Sequence, residues 1–327
     1  MKAVWYEAFG PAAEVLTVGT LPDPLPGPGE VLVRLRASGV NPSDVKLRAG
    51  ARAGAVMAWP KIVPHSDGAG VIEAVGAGVD TARIGERVWI WNGGWQRQYG
   101  TAAELIALPA DQAVRLPEAA DFAEGACLGI PAMTAWHAVF ADGPVTGKTV
   151  LVTGGAGTVG RYACQMAALG GARVIATVSS AGKAAHSTAG EWVNYRDADV
   201  AEAVRGMTGG EGVDRIVEVD FAANQAASLA LLKPGGVIAT YASASQMRPV
   251  LDFYPFMFKN ITLRMILVYL LDPATRRRGE AQLTEWLANR ALSHAVVPGG
   301  GLEDCAAAHE TVEAGTKLGT VVMEWGG

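Results

Sequence analysis

The chain has 327 residues, half of them hydrophobic, which is enough for two domains of ordinary size with a core each. Its 27 basic and 32 acidic residues leave a net charge of −5, which argues against a nucleic-acid or anionic-membrane surface. The most apolar late stretch, residues 261–271, is interrupted by Arg264 and is too short to span a bilayer, and residues 1–7 enter a strand pattern directly, so a cytoplasmic protein is expected.

In chain order, short period-2 runs separated by Gly and Pro come first, at residues 2–9, 30–36, 70–75 and 87–91. They read as antiparallel strands of a compact β-rich domain. From about residue 125 strands and helices alternate, with strands at 150–152, 173–177, 216–219 and 237–241. That alternation means a parallel sheet with crossover helices, a doubly wound domain. The last stretch, 302–324, reads as a helix followed by a strand at 320–324 that rejoins the β-rich domain. The expected division is a β-rich domain from residues 1–125 and 268–327, and a doubly wound domain from 126–267. The apolar run 261–271 is a candidate edge strand for pairing across a homodimer.

The strand at 150–152 runs into Gly154-Gly155-Ala156-Gly157-Thr158-Val159-Gly160, and from Val159 the apolar positions Ala163, Met166, Ala167 and Gly170 recur at helical spacing. Gly155, Gly157 and Gly160 therefore fall as G-x-G-x-x-G across a strand-to-helix junction. No Cβ intrudes there, and the N–H groups and dipole of the new helix face an incoming phosphate. Such a turn with no ligand is the alternative for the motif alone; the flanking strand and helix favour a dinucleotide pyrophosphate and a Rossmann sheet.

The next strand ends in Ser179-Ser180, with Lys183 three residues on and no acid between Gly171 and Glu191. An NAD-preferring site usually offers a carboxylate here to the ribose hydroxyls. Neutral donors and a cation suit the extra 2′-phosphate of NADPH instead. The three cysteines, Cys127, Cys164 and Cys305, are widely separated and read as small core hydrophobes. Gly147-Lys148-Thr149 imitates a P-loop end, but Asp142 stands where its first glycine belongs and the lysine precedes the strand, so nucleoside triphosphate binding is rejected.

Six further segments carry a resemblance over nearly the whole chain: residues 39–44 (GVNPSD), 66–72 (SDGAGVI), 85–88 (GERV), 129–135 (GIPAMTA), the glycine turn, and 194–196 (NYR). The chain resembles the zinc-independent quinone oxidoreductases of the medium-chain dehydrogenase/reductase superfamily, the group that includes zeta-crystallin. The resemblance implies a catalytic β-domain of chaperonin-10-like topology made from both chain ends, with NADPH in the cleft beside the nucleotide domain. It places Asn41 and Thr134 at the nicotinamide end, Ala156 to Val159 on the pyrophosphate and Lys183 and Tyr195 on the 2′-phosphate. Ala242, Ser243 and Lys317 complete the implied cofactor set. On local chemistry alone Asn41 is equally a turn-capping residue before Pro42, and Tyr195 an ordinary half-buried aromatic.

Zinc-dependent members place Cys, His and Cys on a catalytic metal where this chain has Asn41, Ser66 and approximately Ile130. His65 lies one position off and reads as a single histidine without partners, so no metal is expected. Lys46 stands where many quinone reductases carry a tyrosine near the site mouth; it is a candidate substrate contact or a surface lysine. With no metal, flavin or activated nucleophile in view, the expected chemistry is hydride transfer from NADPH to an acceptor with its own electron sink, a quinone or a conjugated carbonyl. Trp59, Trp91, Trp95, Tyr99, Phe256 and Tyr269 are candidate pocket aromatics. A reductase of enones or 2-alkenals and a non-catalytic NADPH-binding protein are the alternatives.

Overall fold

The computed structural model describes residues 1–51 and 54–326. The chain divides into two compact units, Met1–Ile130 with Glu280–Gly327, and Pro131–Gly279. The junctions at 130/131 and 279/280 thus lie later than the 125/126 and 267/268 expected from the sequence. Packing explains the outer one. Strand Thr262–Met265 pairs with Leu232–Thr240, Arg264 binds Asp142, and Gly279 packs so tightly on Met133 and Trp136 that a Cβ would meet them at 2.9 Å.

In the second unit six strands form one parallel sheet in the order Glu191–Asn194, Arg173–Val178, Thr149–Val152, Val213–Glu218, Leu232–Thr240, Thr262–Met265. Numbered along the chain, this is the order 3-2-1-4-5-6, which reverses between Thr149–Val152 and Val213–Glu218, the switch point at which open sheets of this kind bind ligands. Its central strands are apolar runs covered on both faces, as parallel strands require. Leu151, Ile175, Ile216 and Ile238 meet Phe221, Leu231 and Phe256 in one core, and truncation of such a side chain to Ala costs ~2–5 kcal/mol. Phe256 is therefore core, not a pocket aromatic. Asp142 accepts from Arg215 at 2.9 Å and from Arg264, while Arg215 also donates to the Ala138 carbonyl at 2.6 Å. This partly buried network fastens helix Met133–Phe140 to the sheet. In the basic run 276–278, Arg276 is buried whereas Arg277 and Arg278 are exposed.

The first unit is built on a seven-stranded sheet around Glu30–Val40. The first half of that long strand pairs with Leu105–Pro109 and the second half with the C-terminal strand Thr320–Glu324, both antiparallel. Asp67–Val75 covers its other edge. Val31, Val33, Leu35, Ile72, Val88 and Ile90 alternate into the core as their period-2 pattern dictates. This is the expected α/β architecture, a GroES-like β-rich unit with a Rossmann sheet. Among the described residues, no helix is long and apolar enough to cross a membrane.

Candidate functional site

The glycine turn joins strand Thr149–Val152 to helix Thr158–Leu169, whose N-cap is Gly157 with no side-chain cap. Gly154 holds φ at +64°, which a side chain would strain. The turn is pinned from the neighbouring strand: Gly155 N–H donates to the Thr177 carbonyl at 2.9 Å, and Gly154 N–H to Thr177 Oγ1 at 3.0 Å. From the other side Thr153 Oγ1 donates to Glu218 Oε1 at 3.0 Å and accepts from Val219 N–H at 2.9 Å. Glu218 is fully buried and also accepts from Asn224 Nδ2 and the Asp220 N–H. Burial pushes its carboxyl above the usual range against those three bonds.

The glycines divide by what surrounds them. A Cβ on Gly160 would lie 2.3 Å from the Gly154 carbonyl, and one on Gly155 would lie 2.7 Å from Ala176 Cβ. Those two are required by the protein's own packing. A Cβ on Gly157 meets only the Gly154 carbonyl, at 3.2 Å, and Gly157 is exposed. Ala156 is buried, Thr158 and Val159 half-buried. The residues present fit a pyrophosphate: an open glycine caps a twelve-residue helix at the sheet's switch point.

Ser179 and Ser180 follow strand Arg173–Val178, and Ser180 Oγ caps helix Ala181–Ser187 by accepting from the Lys183 N–H. Tyr195 follows the adjacent strand and donates its N–H to the Val178 carbonyl at 3.0 Å. Ser179, Ser180, Lys183 and Tyr195 therefore gather at the carboxyl ends of two neighbouring strands, next to the glycine turn. Lys183 is half-buried and Tyr195 is 49% exposed. Ala242 and Ser243 follow Leu232–Thr240 at the same end of the sheet, where the Ala242 carbonyl accepts from Phe221 N–H and Ser243 Oγ donates to the Gln246 carbonyl. Thr134 is buried on helix Met133–Phe140.

In the β-rich unit Asn41 ends strand Glu30–Val40 and caps helix Pro42–Arg48. Its backbone N–H donates to Asp44 Oδ2, and its Nδ2 donates to Asp67 Oδ2, each at 2.8 Å. Burial pushes the Asp44 carboxyl up to about 7 and the Asp67 carboxyl well above its usual range, the Asn41 bond opposing it. Gly129 leaves the space Asp67 occupies, since a Cβ there would be 2.3 Å from Oδ1. Val321 pairs with Val40, which sets the Lys317 loop at the Asn41 end of the strands. Lys317 Nζ donates to the Gly319 carbonyl at 2.6 Å. Lys46 is on the exposed face of its helix, opposite the buried Asp44, Val45 and Arg48.

One reading is corrected. His65 is not a histidine without partners: its Nε2 lies 2.8 Å from His309 Nε2 and 3.9 Å from Cys305 Sγ, and its Nδ1 2.9 Å from Ser38 Oγ. Sequence reasoning missed His309 and Cys305 as neighbours because they lie more than two hundred residues away. The contact of Asp67 with Asn41 was also missed, although Asp67 lies in the segment 66–72, and so was Glu218, which carries no local motif.

Two family descriptions match the chain, "Alcohol dehydrogenase GroES-like domain" over residues 27–118 and "Zinc-binding dehydrogenase" over residues 158–288. A quinone oxidoreductase of Rattus norvegicus is 34% identical over 242 residues, 72% of this chain and 71% of the relative. The chain belongs to the medium-chain dehydrogenase/reductase family. Within that family it is similar over its whole length to a 2-haloacrylate reductase of Burkholderia sp, with 31% identity across 99% of this chain and 98% of the relative. Two solved structures share the fold. One, an NAD-dependent alcohol dehydrogenase, has 31% identity and a TM-score of 0.87 over 100% of both chains. The other, mycobacterial Rv1454c complexed with NADPH, has 30% identity and a TM-score of 0.84 over 99% of this chain and 100% of that one.

Proposed function

We propose that this medium-chain dehydrogenase/reductase is an oxidoreductase that uses NADPH to reduce a quinone without a catalytic metal. The observation that carries the cofactor choice is the end of strand Arg173–Val178, where Ser179, Ser180, Lys183 and Tyr195 gather and the chain has no acid between Gly171 and Glu191. A 2′-phosphate is welcomed by hydroxyls and a cation and repelled by an acid. The mycobacterial relative bound to NADPH supports the same choice, whereas the NAD-dependent relative makes the cofactor comparison a necessary test.

NADPH supplies the hydride when bound. Gly155, Ala156, Gly157, Thr158, Val159 and Gly160 are assigned to its pyrophosphate, the Ser179–Tyr195 group to its 2′-phosphate, and Ala242, Ser243 and Lys317 to further contacts. Asn41 and Thr134 are assigned to the nicotinamide end, with Asp67 fixing the Asn41 amide. Lys46 is assigned to the substrate mouth. Since Asn41, Ser66 and Ile130 stand where zinc-dependent members carry ligands, the acceptor has to stabilise the charge it gains, as a quinone does through its two oxygens. A second acceptor class, a conjugated carbon–carbon double bond of an enone or 2-alkenal, is favoured by the full-length 2-haloacrylate reductase relative.

The protein is further proposed to form a homodimer by edge pairing. Strand Thr262–Met265 ends the parallel sheet, and Met265, Leu267, Leu270 and Phe258 are exposed around it. Light scattering should give twice the chain mass, and a monomer would overturn that assignment.

The reaction is tested by following NADPH and NADH oxidation with a panel of quinones, enones, 2-alkenals and simple ketones. Reduction of quinones, or of the conjugated carbonyls, with NADPH is the expected result. Turnover of simple ketones alone would replace the reading by a zinc-free alcohol dehydrogenase, and NADPH binding without any turnover by a non-catalytic NADPH-binding protein.

A further inference from the structure

Helix Cys305–Glu313 sets Cys305 and His309 one turn apart on the same face, and both meet His65, two residues ahead of strand Asp67–Val75. His65 is 2% exposed, Cys305 and His309 fully buried. The two imidazoles stack with ring centroids 5.0 Å apart and present Nε2 to Nε2 at 2.8 Å, and Cys305 Sγ stands 3.9 Å from the His65 nitrogen. We propose that His65, Cys305 and His309 form a binding site for a borderline divalent cation of the zinc class, made of residues other than Asn41, Ser66 and Ile130. The proposal is independent of the reduction reaction.

Two imidazole nitrogens and one thiolate are the donors that zinc selects. Zn–N bonds of about 2.0–2.1 Å and a Zn–S bond of about 2.3 Å in a tetrahedron place the nitrogens about 3.4 Å apart and the sulfur about 3.5 Å from each. The observed 2.8 and 3.9 Å fall on either side of those separations. Moving the facing nitrogens apart by about half an ångström brings them to the tetrahedral separation, the Nε2–Nε2 proton giving way to the cation, and the donor atoms of all three residues lie within 4.8 Å of one another.

The surroundings suit ligands. Ligating histidines commonly have the second nitrogen held: His65 Nδ1 is held by Ser38 Oγ, itself 2.8 Å from Thr101 Oγ1, whereas His309 Nδ1 is buried with no hydrogen-bond partner. Burial keeps both imidazoles neutral at ordinary pH, His309 lowered to about 3 and His65 also far below its usual value, as lone-pair donors must be. Burial likewise pushes the Cys305 thiol up to about 12, so its proton leaves only when a cation takes its place. The Cys305 thiolate opposes the cation, while Arg48, which lowers His309, is itself paired with the Glu313 carboxylate. Beside His65 a cavity of about 20 Å³, lined also by Tyr6 and Asp44, has room for one water.

The test is metal content and spectroscopy on the full chain, purified from zinc-replete cells and separately refolded with Co²⁺. About one metal per chain is expected, with a thiolate-to-cobalt charge-transfer band in the Co²⁺ protein. Cys305→Ser should abolish the band, and His309→Gln should lower metal content about tenfold or more. The double variant Cys127→Ala/Cys164→Ala, in which Cys305 is the sole thiol, should keep the band, which assigns the ligand even if Cys305→Ser does not fold. Absence of metal from both preparations, a band that persists in Cys305→Ser, or a band lost from the double variant would each overturn the proposal.

Discussion

The Asn41 carboxamide donates through Nδ2 to the Asp67 carboxylate, 2.8 Å away and 26 residues on in the chain. That bond leaves the amide one orientation, and Asp67 has room to make it because residue 129 is glycine. If Asn41 serves the nicotinamide end, its anchor matters as much as its identity. Asn41→Ala should lower kcat more than it weakens NADPH binding, since a misplacement of reacting atoms by about 1 Å costs on the order of a hundredfold in rate. Asp67→Ala should show the same split in milder form. Steady-state kinetics beside fluorescence titration of NADPH checks this, and equal losses in kcat and affinity would remove Asn41 from the site.

Lys183 tests the proposed choice of cofactor. Its side chain is half-buried at the strand end that carries Ser179, Ser180 and Tyr195. Lys183→Ala should weaken NADPH by ~1–3 kcal/mol, the worth of lost charge-assisted hydrogen bonds, and leave NADH nearly unchanged. Calorimetric titration with both cofactors reads the difference directly. Identical losses would show a surface lysine with no 2′-phosphate.

What the sequence made legible was local. The strand before the glycine turn, the helix after it and the stripe of Ala163, Met166 and Ala167 follow from periods of 2 and 3.6 residues that any short window contains. The return of residues 320–324 to the β-rich sheet was legible for the same reason, as a strand with no partner nearby in sequence. Glu218 under the turn was not, because its partner Thr153 is 65 residues away. His65 and His309, separated by 244 residues, lacked any local sign that their rings meet. The outer domain junction differs for a related reason: tertiary packing of Gly279 on Met133 and Trp136, not composition, keeps residues up to 279 with the nucleotide sheet.

Glu218 gives the fold a pH dependence with a definite sign. Burial raises its folded-state pKa above the unfolded value, so the native state holds the proton more tightly. The stabilisation is then complete below about 4.5 and is lost as pH rises through the folded-state value. Glu218→Gln carries no such titration. The stability of the wild type relative to this variant should therefore fall as pH rises above about 4.5, measured by urea unfolding at several pH values. A difference that stays constant, or grows with pH, would mean that the buried carboxyl is held ionised instead.

The glycine turn offers the sharpest separation between a cofactor cradle and a tight turn that binds nothing. Gly160 is needed by the fold, since a Cβ there would press into the Gly154 carbonyl at 2.3 Å and Gly155 Cα at 2.9 Å. Gly160→Ala should destabilise the free protein by ~1–3 kcal/mol, as forced overpacking does. Gly157 is different: its φ of −72° and ψ of 165° suit any residue, and the nearest atom to an added Cβ is 3.2 Å away. Gly157→Ala should therefore lower the melting temperature of the free protein much less than Gly160→Ala does. If a pyrophosphate lies against this backbone, the added methyl occupies its place, and NADPH affinity should drop by about tenfold or more, ~1.4 kcal/mol. The thermal shift on adding NADPH should shrink in proportion, because a ligand stabilises only as far as it binds the native state. A Gly157→Ala variant that binds NADPH as the wild type does would leave the turn a structural feature of the strand-to-helix junction and move the cofactor elsewhere.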